Sequence, residues 1–380
     1  MRTSIYWKAA GVCLAGALLL LTAPFMLLLR PASAAAIHKE LVYLSLIDRY
    51  IRPGDAPLQQ VYDLFTFTRM HEFMYKGYPV IDKDPLNDLV RGIGWCDQQA
   101  NLIVTLAQRL GIKGHILALH RKGVSVSQHS VAEVEIGGRW FMFDPSLARI
   151  YRNRSTGSVM SAREIQDAVT AGRFSDLINI VEPGEQAGLD LYAGPFRPFG
   201  VNYNQIGVLR ALVRSLARLD HRLFGRLFTR VYQDAYFALY DRGRAPDDLY
   251  RRAKLYYLTG RYEKADATFA EVLAAPKPFW DRGSALLWRG VNLYRMHRYP
   301  ESLRTLEELR SYVNGIPPRQ GGVDVPRVGT FVINLYQELN CFALGRPREA
   351  KRYAAENQES ILYRKWIARK LLANSLIQPS

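Results

Sequence analysis

Between Leu58 and Lys76 the apolar residues recur every three to four positions, the spacing of one helical face. Pro79 and Pro85, with Gly77, Gly92 and Gly94, then interrupt the pattern, so a long loop is expected from Gly77 to Gly94. Helical spacing resumes directly after Cys96. Ala100, Ile103, Leu106, Ala107 and Leu110 form one stripe, and Gly111 supplies a stop. The period then shortens to two. Ile112 to Leu119 reads as a strand, followed by a hairpin with arms Ser130 to Ile136 and Arg139 to Asp144. Gly137-Gly138 between the arms is a two-residue turn signal, and Pro145 closes the second arm because it cannot donate to a ladder.

A two-residue turn fixes the register. Ile136 then faces Arg139 and Val131 faces Asp144, which puts His129 diagonal to Asp144 on the same face. The opposite face receives Ala132, Val134, Ile136, Phe141 and Phe143, a set suited to packing on a core. The functional and buried sides are therefore expected to separate cleanly, and a three-residue loop would reverse the parity.

From about residue 206 to 240 the pattern is helical again. Arg210, Arg214, Arg218, Arg222, Arg226 and Arg230 recur every four residues, a row that winds around a helix by about 40° per step. Solvated charges over buried Leu209, Leu212, Leu216, Leu223 and Phe228 are the simpler expectation, and contact with an anionic surface is the sharper one. Beyond Pro246 the chain echoes itself. Ala253, Tyr256, Gly260, Tyr262, Ala265 and Phe269 are followed by Pro276, and Gly290, Leu293, Tyr299, Ser302 and Leu306 fall in corresponding places. These positions resemble the tetratricopeptide repeat over roughly residues 246 to 360, with a weaker third unit at Gly345 to Ala350. The step from Tyr262 to Tyr299 exceeds the family period of about 34 residues, which implies a short insertion. Such a stack implies a surface for a protein partner, or a helical buttress for the preceding domain.

Length and apolar content allow two or three globular units. The net charge of +16 favours anionic partners, such as an acidic polysaccharide or a membrane surface. The amino terminus carries Arg2 and Lys8 and then an uncharged apolar run from Ala9 to Leu29, long enough for the roughly 20 residues that cross a bilayer. Ala32-Ser33-Ala34 provides an A-x-A cleavage site, so residues 1–34 read as a signal peptide or a membrane anchor. Either places the remainder outside the cytoplasm, at the periplasmic face, anchored to the membrane or secreted. Export argues against nucleic acid as a partner. Cys13, Cys96 and Cys341 offer no framework of nearby disulfide pairs. Cys13 and Cys341 lie in apolar or helical surroundings, where a thiol acts as a small hydrophobe.

Cys96 differs because it opens a helix. Unpaired backbone N–H groups and the helix dipole at such a position favour a thiolate, the nucleophilic form. Gly92-Ile93-Gly94-Trp95-Cys96-Asp97, then His129-Ser130-Val131-Ala132-Glu133-Val134, then Gly138 to Pro145 with Asp144, resemble the transglutaminase-like family over about residues 58 to 150. That family places a cysteine at a helix start, a histidine at a strand start and an aspartate at the end of the next strand. The resemblance implies Cys96 as nucleophile, His129 as base and then acid, and Asp144 as the orienting carboxylate, working through a thioester. The Cys96 N–H and the Trp95 indole are candidate oxyanion donors. An aromatic residue commonly follows the family histidine, whereas Ser130 and Val131 stand here, so the substrate pocket is expected to differ in shape.

No cofactor and no metal are called for. His115 and His120 lie five residues apart on a strand and point to opposite faces, and no HExxH or paired CxxC is present. Gly92-Ile93-Gly94 lacks the third glycine of a dinucleotide loop, since Asp97 stands there.

The expected fold is an α+β papain/transglutaminase-like domain, a helix packed on an antiparallel sheet, followed by an all-α tetratricopeptide-like solenoid. The corresponding division is 1–34 signal or anchor, 35–200 catalytic domain, 201–245 basic helical connector and 246–375 repeats. The leading expectation is an exported cysteine-dependent enzyme that transfers an acyl group or hydrolyses an amide of a protein or peptide substrate. The alternative is a catalytically silent scaffold in cell-envelope polysaccharide or surface assembly.

Overall fold

A computed structural model describes residues 29–52, 54–73, 84–121, 123–181, 188–199, 208–275, 281–315 and 325–356. Residues 9–28 of the apolar run, with Cys13, lie outside these. Among the described residues no helix is long and apolar enough to cross a membrane.

Helix α1, Pro31–Tyr50, opens on a proline at its first turn and buries Ala34, Ile37, Leu41 and Val42. The Ala32-Ser33-Ala34 tripeptide is thus part of its first turn. Helix α2, Pro57–His71, follows the expected apolar spacing. The stretch expected to be loop contains a third helix, α3, Pro85–Arg91. Pro85 does not break it, because it sits in the first turn behind Asp84, whose carboxylate caps the Leu86 N–H at 3.0 Å. Gly92, with φ of 74°, ends it in the left-handed conformation.

Helix α4, Cys96–Arg109, buries Ala100, Ile103, Leu106 and Ala107 against a four-stranded sheet of order β3-β2-β1-β6. Its strands are β1, Lys113–Leu119, β2, His129–Ile136, β3, Arg139–Phe143, and β6, Phe196–Phe199. All neighbours are antiparallel. Ile136 pairs with Arg139 and Ala132 with Phe143, the register of a two-residue turn, and Gly137 and Gly138 both have positive φ. Short strands β4, Tyr151–Asn153, and β5, Leu177–Asn179, form a separate ribbon beside helix α5, Ala162–Thr170.

Ala132, Val134 and Phe143 enter the main core with α4, as the parity argument requires. The two faces do not separate cleanly, however. Val131 and Met142, on the face that carries His129, pack into a second apolar cluster with Leu117, Met160, Ile165 and Tyr192. Chain beyond Pro145 folds back over this face, so the sheet is buried on both sides.

Helices α6, Val208–Phe224, and α7, Leu227–Tyr240, pack along α1. Glu40 of α1, almost fully buried, accepts from Arg214 of α6 at 2.7 Å and from Arg109 of α4 at 2.8 Å. Leu216 is buried, but Leu223, expected inside, is 62% exposed. It lies beside the turn at Gly225 and Arg226, both of which have positive φ. Leu209 and Arg210 have side chains outside the description.

Three helical hairpins follow. They are α8, Pro246–Leu258, with α9, Tyr262–Ala274; α10, Arg282–Arg295, with α11, Tyr299–Asn314; and α12, Val325–Ala343, with α13, Pro347–Ala355. Each packs on the next. Their turns repeat one geometry: Gly260, His297 and Gly345 have positive φ, and Arg261, Arg298 and Arg346 each donate N–H to the carbonyl five residues back. Ala265, Ser302 and Ala350, three residues into the second helix of each pair, are completely buried. The third unit, faint in sequence, therefore has the same turn as the first two. Cys341 takes the place of Tyr256 and Leu293 and is a buried core residue.

Candidate active site

The segment before Cys96 is shaped by close packing. The Phe73 N–H donates to the Gly92 carbonyl at 2.9 Å and the Gly94 N–H to the Phe73 carbonyl at 3.0 Å. Gly94 then lies so near the buried Glu72 that an added Cβ would come within 2.9 Å of its carboxylate. Gln99 Nε2 donates to the Glu72 carbonyl at 2.8 Å, which ties the first turn of α4 to the same strip. Trp288 of α10 closes the strip from behind, its ring stacked on His71 at 5.1 Å. Trp95, the residue before the helix, is 42% exposed and donates its N–H to Gln98 Oε1 at 2.9 Å. Cys96 follows as the first helical residue and is partly exposed.

His129 begins β2 opposite Leu119 of β1. Its Nε2 lies 2.6 Å from Asp144 Oδ2. Cys96 lies near enough to this imidazole to favour its charged form. With Nε2 taken by Asp144, Nδ1 is the nitrogen left for the sulfur. The hairpin thus joins His129 directly to Asp144, and the start of α4 brings Cys96 near the ring.

Asp144 is fully buried, and its carboxylate receives four hydrogen bonds. Ser146 Oγ and the Leu147 N–H donate to Oδ1, each at 3.1 Å. His129 and the Tyr192 hydroxyl donate to Oδ2, each at 2.6 Å. Burial by itself would raise the carboxyl pKa, but the charge and hydrogen bond of His129, with Tyr192 and Leu147, bring it below the usual value. Burial likewise works against the charged imidazole. The Asp144 charge and hydrogen bond, joined by Cys96, overcome it and raise the His129 pKa to about 10.

Tyr192, Arg149 and Arg69 complete the setting, and no motif announced them. Tyr192 comes from a 3-10 turn, Leu189–Tyr192, and the Arg149 guanidinium stands 5.9 Å from its ring. Arg69 of α2 donates to the Pro145 carbonyl at 2.5 Å and so holds the turn behind Asp144. Each partner lies dozens of residues from the group it touches, beyond the range of a local pattern.

His115 and His120 make other contacts. His115 Nε2 lies 3.1 Å from Glu133 Oε2, and its ring is 4.3 Å from that of Trp140. The backbone N–H of His120 donates to the Pro195 carbonyl at 3.1 Å, where β6 joins the sheet.

Residues 45–145 match the model of the transglutaminase-like superfamily, so the chain carries a transglutaminase-like domain. The matched span contains Cys96, His129 and Asp144 but stops short of Tyr192. Comparison with curated proteins and with solved structures gave no match.

Proposed function

We propose that this protein is an exported cysteine-dependent enzyme of the transglutaminase-like type, acting on an acyl group of a protein or peptide. The observation that carries the reading is the imidazole of His129, held at 2.6 Å by a buried carboxylate and kept charged by it and by the neighbouring Cys96, which opens α4. A structural cysteine needs neither an ionised partner nor a route to solvent, and Cys96 has both.

In the reaction the Cys96 thiolate attacks the substrate carbonyl carbon and a C–S bond forms. The imidazolium gives its proton to the departing amine as the C–N bond breaks, leaving a thioester. Neutral His129 then takes a proton from the incoming amine or water, whose attack on the thioester releases Cys96. Asp144 keeps Nε2 protonated and so presents Nδ1 to the sulfur throughout. The Cys96 N–H, at the positive end of α4, and the Trp95 indole are the candidate donors to the oxyanion. No cofactor or metal takes part. The three helical hairpins, with their repeated turns, support a tetratricopeptide-like platform that presents a protein partner or substrate. The apolar run after Lys8 supports a site of action in the cell envelope, outside the cytoplasm.

The test is the rate of Cys96 alkylation by iodoacetamide at neutral pH, with the adduct located by intact-mass spectrometry. Rapid labelling that slows at least about tenfold in His129→Ala is expected. Labelling of the two chains at one slow rate would reject the enzyme and favour the scaffold.

A further inference from the structure

The hairpin of α6 and α7 leaves an apolar ridge uncovered. Leu219, Leu223, Phe224, Leu227 and Val231 are each 46–62% exposed, and all lie on either side of the turn at Gly225. Scattered apolar residues on a surface need no explanation, but five gathered at one turn mark a contact. Leu239, 47% exposed, lies at the far end of α7.

The ridge is also cationic. Arg218, Arg222 and Arg230 are exposed among the apolar side chains. The acidic residues of these helices are engaged elsewhere. Asp220 is buried and accepts from the Phe228 and Thr229 N–H groups, each at 2.8 Å, which caps α7. Asp234 is held by Arg261 and by Lys264, the latter at 3.0 Å.

These features discriminate among occupants. A second copy of the chain would bring like-charged arginines together across the contact. An acidic polysaccharide would satisfy the arginines but leave the apolar side chains in water. The surface of an anionic bilayer accommodates both, with apolar groups at the acyl boundary and guanidinium groups on phosphates.

The position of the ridge agrees with this. Helix α1, which begins two residues after the apolar run, lies against the hairpin with His38 stacked on Tyr236 at 4.1 Å and Asp48 paired with Arg226 at 3.6 Å. These contacts make α1 antiparallel to α7, so α1 starts beside the Leu239 end. A chain leaving the bilayer at Pro31 can therefore lay the whole outer side of α7 along the same surface. We infer that the α6–α7 ridge docks on an anionic phospholipid surface, holding the catalytic domain close to the membrane. The inference rests on the envelope reading above.

The test uses the full chain carrying Cys13→Ser, Cys96→Ser, Cys341→Ser and Leu223→Cys, labelled with bimane at position 223. It is mixed with vesicles of phosphatidylglycerol and phosphatidylcholine in equal parts, or of phosphatidylcholine alone, and followed by flotation and by quenching with acyl-chain bromines. Expected are a blue shift and quenching with the anionic vesicles, both weakened several-fold by Arg218→Gln, Arg222→Gln and Arg230→Gln together. A chain that floats on both lipids with unshifted, unquenched bimane would overturn ridge docking while leaving the membrane reading intact. A chain that floats on neither would overturn both. A shift that follows protein density without lipid would assign the ridge to a second copy, and one produced by heparin alone would assign it to a polysaccharide. Either overturns the proposal.

Discussion

The Tyr192 hydroxyl reaches back 48 residues to donate to Asp144 Oδ2 at 2.6 Å. That oxygen also receives the His129 imidazole, so one buried atom joins a ring expected from sequence to one that was not. The consequence is electrostatic. A carboxylate with four donors stays ionised where burial would neutralise it, and an ionised Asp144 keeps His129 protonated.

Tyr192→Phe keeps the ring in its apolar cluster and removes only the hydroxyl. We expect the Asp144 carboxyl titration, followed by NMR of carboxyl-labelled aspartate, to move up by roughly one pH unit, the scale of one charge-assisted hydrogen bond. A purely structural tyrosine would lower the melting temperature and leave that midpoint in place. An unchanged midpoint would remove Tyr192 from the site.

Stability should depend on pH through the same pair. His129 titrates near 6.5 when unfolded and at about 10 when folded, so its contribution is complete below 6.5 and declines as pH rises toward 10. Asp144 acts oppositely: its folded pKa is depressed, so its contribution is present above about 3.9 and is lost as pH falls through the folded value. Urea unfolding should show the pair contributing most between about pH 4 and 6.5, with an alkaline slope no steeper than about 1.4 kcal/mol per pH unit from His129. Asp144→Asn should flatten both limbs, and limbs that persist in that variant would deny the pair this role.

Gly94→Ala should reduce Cys96 alkylation more than it reduces stability. The new methyl meets the end of the buried Glu72 side chain, and the backbone leading into Cys96 shares the displacement that relieves the contact. A displacement of a few tenths of an ångström at the helix start is expected to slow labelling about tenfold. Gly137→Ala provides the comparison, since that position has open space and only an unfavourable φ. Equal labelling of the two variants would show that Gly94 does not position the sulfur.

Glu40→Gln should destabilise the fold by about 3–5 kcal/mol, because Arg109 and Arg214 would lose a shared buried counter-charge. Calorimetry of the full chain measures it. A loss below about 1 kcal/mol would place the pair in the category of solvated surface ions.

The elements around the chemistry were legible because each depends on near neighbours in the chain. Gly137-Gly138 sets the register of β2 and β3, and that register carries His129 and Asp144 to one face. The stripe from Ala100 to Ala107 defines α4 and thereby leaves Cys96 at its start. Two prolines and three glycines make the α3 region look like loop, because counting breakers ignores where in a helix they stand. Pro85 occupies the first turn, where a proline is tolerated. Leu223 shares the spacing of Leu216 yet is exposed. Spacing says which residues share a face, and only the packing of other elements decides how far along the helix that face is covered.

Sequence alone thus determined the local geometry: where the helix begins, how the hairpin is registered, and which three groups could meet. Tertiary structure decided what encloses them, with Tyr192 on Asp144, Arg69 behind the turn, β6 on β1 and Trp288 behind the Cys96 strip. The physical reason is range. Backbone periodicity and turn chemistry act over a few residues, whereas these partners are joined through a folded core that no short window of the chain encodes.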